Sequence, residues 1–430
     1  MLTNSKLDIQ EESSTYTTPK TEKMVICNTQ SKTHCILPWT NLETSSMGTV
    51  KVCCKSYQNL QSYDGKSHIA ETTLEEMWNG PKLKEIRDSL NRGEYHPNCE
   101  RCWIEESSGA ESMRTIYNRA FGNWIDNDLT NPQMLDLKLG IKCNLACRIC
   151  SFHSSDQWID ESLNFMSEQE QQRTRYQLDL IDKAYDKSND IWKTIDKWLP
   201  NLKRLDFYGG EPWLIQEHWD TLAKMVELGY SKDCRLNYTT NGTVFKSKQT
   251  DLLKQFKAVS ISLSIDGIGS RFEYQRYPGK WSVIEKNIPK FIELREHGIE
   301  TTTCTTLSTL NIWYLEELLE YFYQRNIIVI FNPLHRPYEF ALKNLPQEVK
   351  LKVKQRLEKI NSKYNENLYN VSIDNMINFM GTEESDPKWY NGFIHKIKKH
   401  DEYRNENFME VCSDFVDILP NFKTLYEGDI

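Results

Sequence analysis

Three cysteines in the run IKCNLACRICSF have a spacing suited to a metal cluster. Cys143, Cys147 and Cys150 follow the pattern C-x-x-x-C-x-x-C. Three thiolates can bind three irons of a four-iron–four-sulfur cube and leave the fourth iron open to a small molecule. A structural zinc ion takes four ligands, which this run provides only if His153 joins the three thiols. The spacing therefore predicts a [4Fe–4S] cluster with one open iron, an arrangement useful for catalysis.

A second set of thiols lies upstream of the first. Its members are Cys35, Cys53, Cys99 and Cys102. Four thiolates can close an iron–sulfur cube with no open iron, or they can hold one zinc ion. Gly48 permits a tight turn that returns the chain toward the first of these cysteines. Cys54 is an alternative to its neighbour as a ligand, and Cys27 is a candidate fifth thiol.

Composition favours metal ligation over disulfide bonding. Of the twelve cysteines, nine lie between Cys27 and Cys150, and the amino-terminal sequence resembles no export signal. We therefore expect a cytoplasmic protein with reduced thiols. The longest apolar run, 327–331, is too short to span a membrane. The net charge of −8 makes nucleic acid an unlikely partner.

The pattern of elements predicts an α/β fold that would place these thiols. We expect a disordered arm over 1–24, a cysteine-rich domain over 25–131, a barrel over 132–338 and a helical extension over 339–430. Strands are predicted at 134–140, 204–210, 235–242, 259–267, 301–308 and 327–334. Amphipathic helices are predicted at 74–90, 216–229, 247–256, 281–298 and 312–325. Alternating strands and helices favour a partial (β/α)6 TIM-like barrel, with chemistry at the carboxyl ends of its strands.

The first cysteine set and the motifs after it resemble the radical S-adenosylmethionine (SAM) superfamily. The resemblance covers roughly residues 134–335, where FYGGEP, TTNG, SLSIDG and FNP end successive predicted strands in the superfamily's order. It implies that the three cysteines are catalytic and bind the SAM cluster. It also implies that SAM is contacted by Phe152, Gly209, Gly210, Glu211, Asn241, Ser262, Ser264, Asp266, Arg276 and Asn332. Among these, the Gly-Gly-Glu segment is expected at the SAM amino group and FNP near the adenine.

The second cysteine set resembles the auxiliary iron–sulfur domain called SPASM, or twitch in its shortened form. The similarity extends through a WN…IR…G…C-x-x-C run from Trp78 to Cys102. In most relatives this domain follows the barrel, whereas here it precedes it. The resemblance implies a second [4Fe–4S] cluster.

The chemistry implied by both resemblances is that of a radical SAM oxidoreductase or maturase. A flavodoxin- or ferredoxin-type reductant would deliver an electron, SAM would be cleaved to a 5′-deoxyadenosyl radical, and the radical would take hydrogen from a substrate. The expected substrate is a peptide or protein side chain, oxidised or modified with help from the auxiliary cluster. Oxidation of a carbinol in a sugar, aminoglycoside or other small molecule is the alternative. A non-catalytic iron–sulfur or zinc-binding protein is the alternative of another class.

Overall fold

The fold is built on one eight-stranded sheet. The computed structural model describes residues 27–124, 130–361, 363 and 373–428, so the predicted arm over 1–24 lies outside the described residues. The strands are β1 (Asn41–Thr44), β2 (Val50–Lys51), β3 (Met134–Lys138), β4 (Arg204–Tyr208), β5 (Arg235–Thr240), β6 (Ala258–Ser264), β7 (Ile299–Leu307) and β8 (Val329–Pro333). Their order is β2-β1-β3-β4-β5-β6-β7-β8, and β3 to β8 are mutually parallel. The predicted α/β fold class is confirmed.

The cysteine-rich unit adds two strands to the six that the sequence predicts. Strand β1 pairs in parallel with β3, with Leu42 opposite Leu135, and β2 pairs antiparallel with β1. Main-chain hydrogen bonds therefore join the amino-terminal unit directly to the first strand of the predicted barrel.

Helices cover the sheet and form the carboxyl-terminal region. The α-helices are Leu37–Thr40, Leu74–Trp78, Pro81–Asn91, Glu100–Ser107, Met113–Phe121, Ile159–Asn164, Glu168–Tyr185, Asp190–Trp198, Gln216–Glu227, Ser247–Leu253, Ser270–Gln275, Trp281–Glu293, Leu315–Tyr323, Gln347–Asn361, Ile373–Met380, Pro387–Arg404, Phe408–Val411, Ser413–Val416 and Phe422–Glu427. Short 3₁₀ turns include Pro97–Cys99, Asp156–Trp158, Pro212–Leu214 and Leu294–His297. Within the described ranges, no helix is both long and apolar enough to cross a bilayer.

The helix predicted over 74–90 is two helices in the structure. Leu74–Trp78 ends before Gly80, which is extended at φ −74° and ψ 164°, and Pro81 begins the next helix. A residue that precedes proline is disfavoured in the helical region, which explains the break. The break also suits packing, because a Cβ on Gly80 would lie 2.0 Å from the Gln61 carbonyl oxygen.

The two faces of the sheet differ in polarity. One face is apolar and buried against helices, as Leu135, Leu137 and Phe207 show. On the other face, strand register aligns a row of polar residues, which we call the polar row: Glu43, Asp136, Asp206, Asn237, Ser260 and Glu300. Because successive strand residues alternate between faces, Ser262 and Ser264 lie on the same face as the polar row.

Candidate functional site

The loop that leaves β3 carries the first cysteine set and is folded back on itself. The Cys143 amide donates to Asp156 Oδ1 at 3.1 Å, and the Asp156 amide donates to the Ile141 carbonyl at 2.8 Å. The Cys150 amide donates to the Cys147 carbonyl at 2.8 Å, which closes a turn between those two cysteines. Cys147 is buried, Cys143 is half-buried and Cys150 is exposed. We call residues 139–156 the cysteine loop.

The cysteine loop is fastened to the segment that follows β6. The Ala146 amide donates to the Tyr277 carbonyl at 2.5 Å, and the Arg148 amide donates to the Gln275 carbonyl at 2.8 Å. From the other side, Trp158 Nε1 donates to the Cys147 carbonyl at 3.0 Å. These bonds bring Arg276 beside the thiols.

The GGEP turn after β4 lies directly against the cysteine loop. Gly209 and Gly210 have φ values of +68° and +56°, in the left-handed region that favours glycine. A Cβ on Gly210 would lie 2.5 Å from the Lys142 carbonyl oxygen, and that oxygen accepts from the Glu211 amide at 2.8 Å. The second glycine is therefore required both for its dihedral angles and for the close approach of two backbones.

Glu211 uses its carboxylate to hold the TTNG turn after β5. The side chain is fully buried and accepts from the Asn241 amide at 2.7 Å, the Thr240 hydroxyl at 2.7 Å and the Trp213 amide at 3.1 Å. Burial raises the pKa of this carboxyl, and the three hydrogen bonds oppose that rise. The turn is thus fixed so that Asn241 Nδ2 lies 2.9 Å from Asn144 Oδ1 and 3.9 Å from Cys143 Sγ.

Arg276 and Asp266 form a buried ion pair on the opposite side of the cysteine loop. Arg276 Nη2 lies 2.6 Å from Asp266 Oδ2, and Arg276 Nη1 lies 3.8 Å from Cys147 Sγ. Asp266 Oδ1 also accepts from the Thr306 amide at 2.8 Å, which ties the pair to β7. A hydrogen bond with Cys150, together with the nearby Arg276 charge, lowers the pKa of Cys147 to about 7.

The remaining predicted SAM contacts lie on β6, on β8 and in the cysteine loop. Ser262 Oγ accepts from Thr302 Oγ1 at 3.1 Å, Ser264 pairs across the sheet with Cys304, and Asn332 is exposed on β8. Phe152 is buried against Ala146 and Trp158. The structure therefore brings the cysteines together with Asn241, Arg276 and the GGEP turn. The described hydrogen bonds do not join Ser262, Ser264 or Asn332 to the cysteine loop.

The second cysteine set lines one cavity in the amino-terminal unit. Its wall is formed mainly by Cys35, Cys53, Cys99, Cys102, Asn98 and Arg114. Cys99 and Cys102 lie at the start of Glu100–Ser107, and Cys53 is separated from the end of β2 by Val52 alone. Burial raises the pKa of Cys99 to about 12. Cys54 is turned away from this cavity, with its sulfur 3.7 Å from Met113 Sδ.

The four thiols of the second set line one shared cavity, as the ligands of an iron–sulfur cube would. At the first set, Asn241 and Arg276 direct N–H groups toward two sulfurs, as hydrogen bonds to a cluster require.

Sequence reasoning missed one residue of the site, the fully buried Arg148. Its Nη2 lies 2.6 Å from Asp401 Oδ1 and 2.7 Å from Glu406 Oε2, so the cysteine loop is tied to the carboxyl-terminal helices. No local pattern signals this contact, because its partners lie more than 250 residues along the chain.

Comparison with known proteins identifies two domain families in the chain. Residues 137–322 match the radical SAM superfamily, and residues 35–103 match an iron–sulfur cluster-binding domain, SPASM. No curated protein matches the chain.

Solved structures with a similar arrangement have low sequence identity. One is native anSMEcpe with bound AdoMet, at 18% identity and a TM-score of 0.39 over 56% of this chain and 62% of that chain. Another is Streptococcus suis SuiB bound to S-adenosylmethionine, at 15% identity and a TM-score of 0.37 over 68% of this chain and 63% of that chain. The chain therefore spans less than two thirds of the length of either structure.

Proposed function

Because the chain carries a radical SAM domain preceded by a SPASM domain, we propose that it is an oxidoreductase or maturase that acts on a peptide or protein side chain. A radical SAM domain takes a [4Fe–4S] cluster and SAM, and a SPASM domain takes auxiliary iron–sulfur. One observation carries the proposal: the loop that holds Cys143 and Cys147 places Asn241 and Arg276 side chains within 4 Å of their sulfurs.

The residues at the carboxyl ends of the strands would hold the first cluster and SAM. Cys143, Cys147 and Cys150 would ligate the cluster. When bound, the cluster and SAM together supply a 5′-deoxyadenosyl radical that removes hydrogen from an unactivated C–H bond. The backbone of Gly209 and Gly210 would receive the SAM amino group.

Polar side chains already bound to one another would give this SAM site its rigidity. Glu211 would act through the TTNG turn, because its carboxylate is engaged by the backbone there. Arg276 is oriented by Asp266 and would meet the methionine carboxylate. Ser262 and Ser264 would face the ribose, Asn332 the adenine, and Phe152 would shield the cluster from solvent.

The auxiliary site would lie at the other end of the strand that leads to the cysteine loop. Cys53 follows β2 beside the amino end of β1, because Asn41 Nδ2 donates to the Val52 carbonyl at 2.8 Å. The first cysteine set follows the carboxyl end of β3, which runs parallel to β1. The auxiliary cysteines would hold a cluster able to accept one electron, so that a substrate held between these ends could lose a hydrogen atom at the first site and then one electron and one proton, for a net two-electron oxidation.

This arrangement supports a division of the chain into functional parts. The auxiliary domain would span 25–131, the radical SAM core 132–338 and a helical extension 339–430. A flavodoxin- or ferredoxin-type protein would supply the reducing electron.

Anaerobic reconstitution with iron and sulfide tests the proposal. Two cubes require about eight irons per chain, and dithionite with SAM should then yield 5′-deoxyadenosine. Cys143→Ala should remove about half of the iron and all 5′-deoxyadenosine, whereas the buried Cys234→Ala should change neither. A wild-type protein that binds iron but never cleaves SAM would refute the enzymatic function.

The role of the auxiliary site has its own test. Cys99→Ala/Cys102→Ala should retain SAM cleavage but lose the oxidised product, once a substrate is identified. Full product formation by this double variant would show that the auxiliary site is not the electron acceptor.

A further inference from the structure

Two carboxylates from different units meet on the polar face of the sheet. Glu43 on β1 lies directly opposite Asp136 on β3, and both belong to the polar row. Their side chains are only 8% and 15% exposed. We call these two residues the acid pair.

The acid pair has more acceptor oxygens than the protein satisfies. Lys138 Nζ donates to Glu43 Oε1 and remains 4.0 Å from Asp136 Oδ1. Among the residues that the structure describes, neither Glu43 Oε2 nor Asp136 Oδ1 has a hydrogen-bond partner, and both atoms are buried. An unpaired buried carboxylate oxygen is costly, and here two carboxylates share one ammonium group.

Asp206, the next carboxylate in the polar row, has hydrogen-bond donors that compensate its charge. Asp206 accepts from Arg204 Nε at 2.8 and 2.9 Å and also from the side-chain amide of Asn237. Its charge is therefore compensated within the protein. At the acid pair, by contrast, ionised Asp136 has no cation of its own, and burial raises the pKa of its carboxyl to about 8.

The acid pair lies between the two cysteine sets, where the proposed function would hold a substrate. Asp136 is the central residue of β3, whose amino end lies toward the auxiliary cysteines and whose carboxyl end leads to the cysteine loop. The side chains of Lys138 and Asp136 are 27% and 15% exposed, so this part of the polar face reaches solvent. Lys138 Nζ lies 5.7 Å from the centre of the Tyr208 ring. The acid pair thus lies beside a partly exposed lysine on the polar face, between the two cysteine sets.

We propose that Glu43 and Asp136 form the subsite that binds a primary ammonium group of the substrate, an inference that rests on the proposed function. An ammonium group donates three hydrogen bonds and brings one positive charge, which matches two unpartnered oxygens and two carboxylates that share one lysine. A bound ammonium group would compensate the ionised form of Asp136, which a neutral group cannot do, and an anion would be repelled by Glu43. A lysine side chain of a peptide and an amino sugar both present this chemistry.

Binding of small probes to the reconstituted protein with SAM tests the subsite. Nα-acetyl-lysine methylamide is compared with the uncharged Nα-acetyl-norleucine methylamide, and glucosamine with glucose, by saturation-transfer NMR titration. At least one ammonium probe should bind about tenfold or more tightly than its neutral match. Preference for the lysine probe indicates a peptide, and preference for glucosamine indicates a sugar. Equal binding within both probe pairs would overturn the proposal.

Variants then assign the preference to the acid pair. Glu43→Gln and Asp136→Asn should each abolish it, whereas Glu300→Gln, at the exposed far end of the polar row, should keep it. Lys138→Met should strengthen ammonium binding, a gain that misfolding cannot produce. A preference that survives both acid-pair variants, or one that Lys138→Met weakens, would refute the assignment.

The same samples separate failure of the subsite from failure of the proposed function. SAM cleavage without substrate is measured as 5′-deoxyadenosine in each preparation. Cleavage without any ammonium preference would overturn the subsite alone, and an ammonium preference without cleavage would overturn the enzymatic function alone.

Discussion

Replacing Arg148 with methionine should loosen the cysteine loop from the rest of the protein. Arg148 is fully buried beside Cys147, and its guanidinium lies 2.6 Å from Asp401 and 2.7 Å from Glu406. Its Nε also donates to the Tyr274 carbonyl at 2.9 Å, and the guanidinium lies 3.6 Å from the centre of the Tyr274 ring. These contacts link the cysteine loop directly to the carboxyl-terminal helices.

The expected cost follows from the burial of the ion pair. Arg148→Met keeps most of the side-chain volume but leaves Asp401, which is 2% exposed, without its cation. Removal of one partner from a buried ion pair costs about 3–5 kcal/mol. The free energy of unfolding should fall by that amount. The loop should also lose its fixed geometry, so the iron content after reconstitution should fall toward that of the Cys143→Ala variant.

Urea unfolding of the metal-free protein, followed by tryptophan fluorescence, measures the stability change, and iron analysis measures the effect on the loop. The matched control is Arg119→Met, which breaks an exposed pair with Glu111 in which the side chains are 68% and 52% exposed. Such surface pairs contribute less than about 1 kcal/mol. If Arg148→Met costs no more than this control, the buried network does not hold the loop and the reasoning fails.

Three further changes follow from single buried groups. Burial raises the folded-state pKa of Asp136 to about 8. Ionisation of this carboxyl therefore destabilises the folded protein increasingly as pH rises from about 4 to about 8. Asp136→Asn should raise the unfolding free energy at pH 8 by at least about 1 kcal/mol and by much less at pH 4. Burial lowers the pKa of His218 to about 3, so protonation of this residue in the unfolded chain costs about 2 kcal/mol of stability between pH 7 and pH 5. Because buried His400 contributes a similar loss, urea titrations should show the total loss reduced by about 2 kcal/mol in His218→Gln and unchanged in the exposed His297→Gln. Gly210→Ala would strain the backbone and also place a Cβ against the cysteine loop, so it should reduce bound iron. Gly229→Ala strains the backbone in the same way but has open space around its Cβ, so it should not reduce bound iron. Equal iron content in both variants would count against close packing at the GGEP turn.

Much of the site was predictable because its signals are local in sequence. The spacing of Cys143, Cys147 and Cys150 needs only one turn of chain to bring the thiols together. The six strands of the predicted barrel are short runs of β-forming residues, most of them ended by turn residues. Each strand appears in the structure within a few residues of its predicted bounds. The strand ends then fix where Gly210 and Asn241 must lie, because parallel strands end at one edge.

What could not be predicted depends on contacts between distant parts of the chain. Strand β1 is only four residues long, and its pairing with β3 joins Glu43 to a residue 93 positions away. Arg148 likewise resembles any arginine in a loop until the carboxyl-terminal helices fold over it. The role of Glu211 was predicted from a motif as a SAM contact, whereas its three hydrogen bonds to a neighbouring turn become visible only in the structure.

Strand pairing joins the two domains directly, whatever their order along the chain. The SPASM domain precedes the radical SAM domain in the chain, yet β1 pairs with β3, the strand that delivers the chain to the cysteine loop. This pairing places the SPASM domain beside the strand that leads to the cysteine loop. The acid pair takes one residue from each side of the pairing, Glu43 from the first domain and Asp136 from the strand that leads to the cysteine loop. Neither unit alone contains both carboxylates, so any substrate group bound by the acid pair is held only when β1 and β3 are joined.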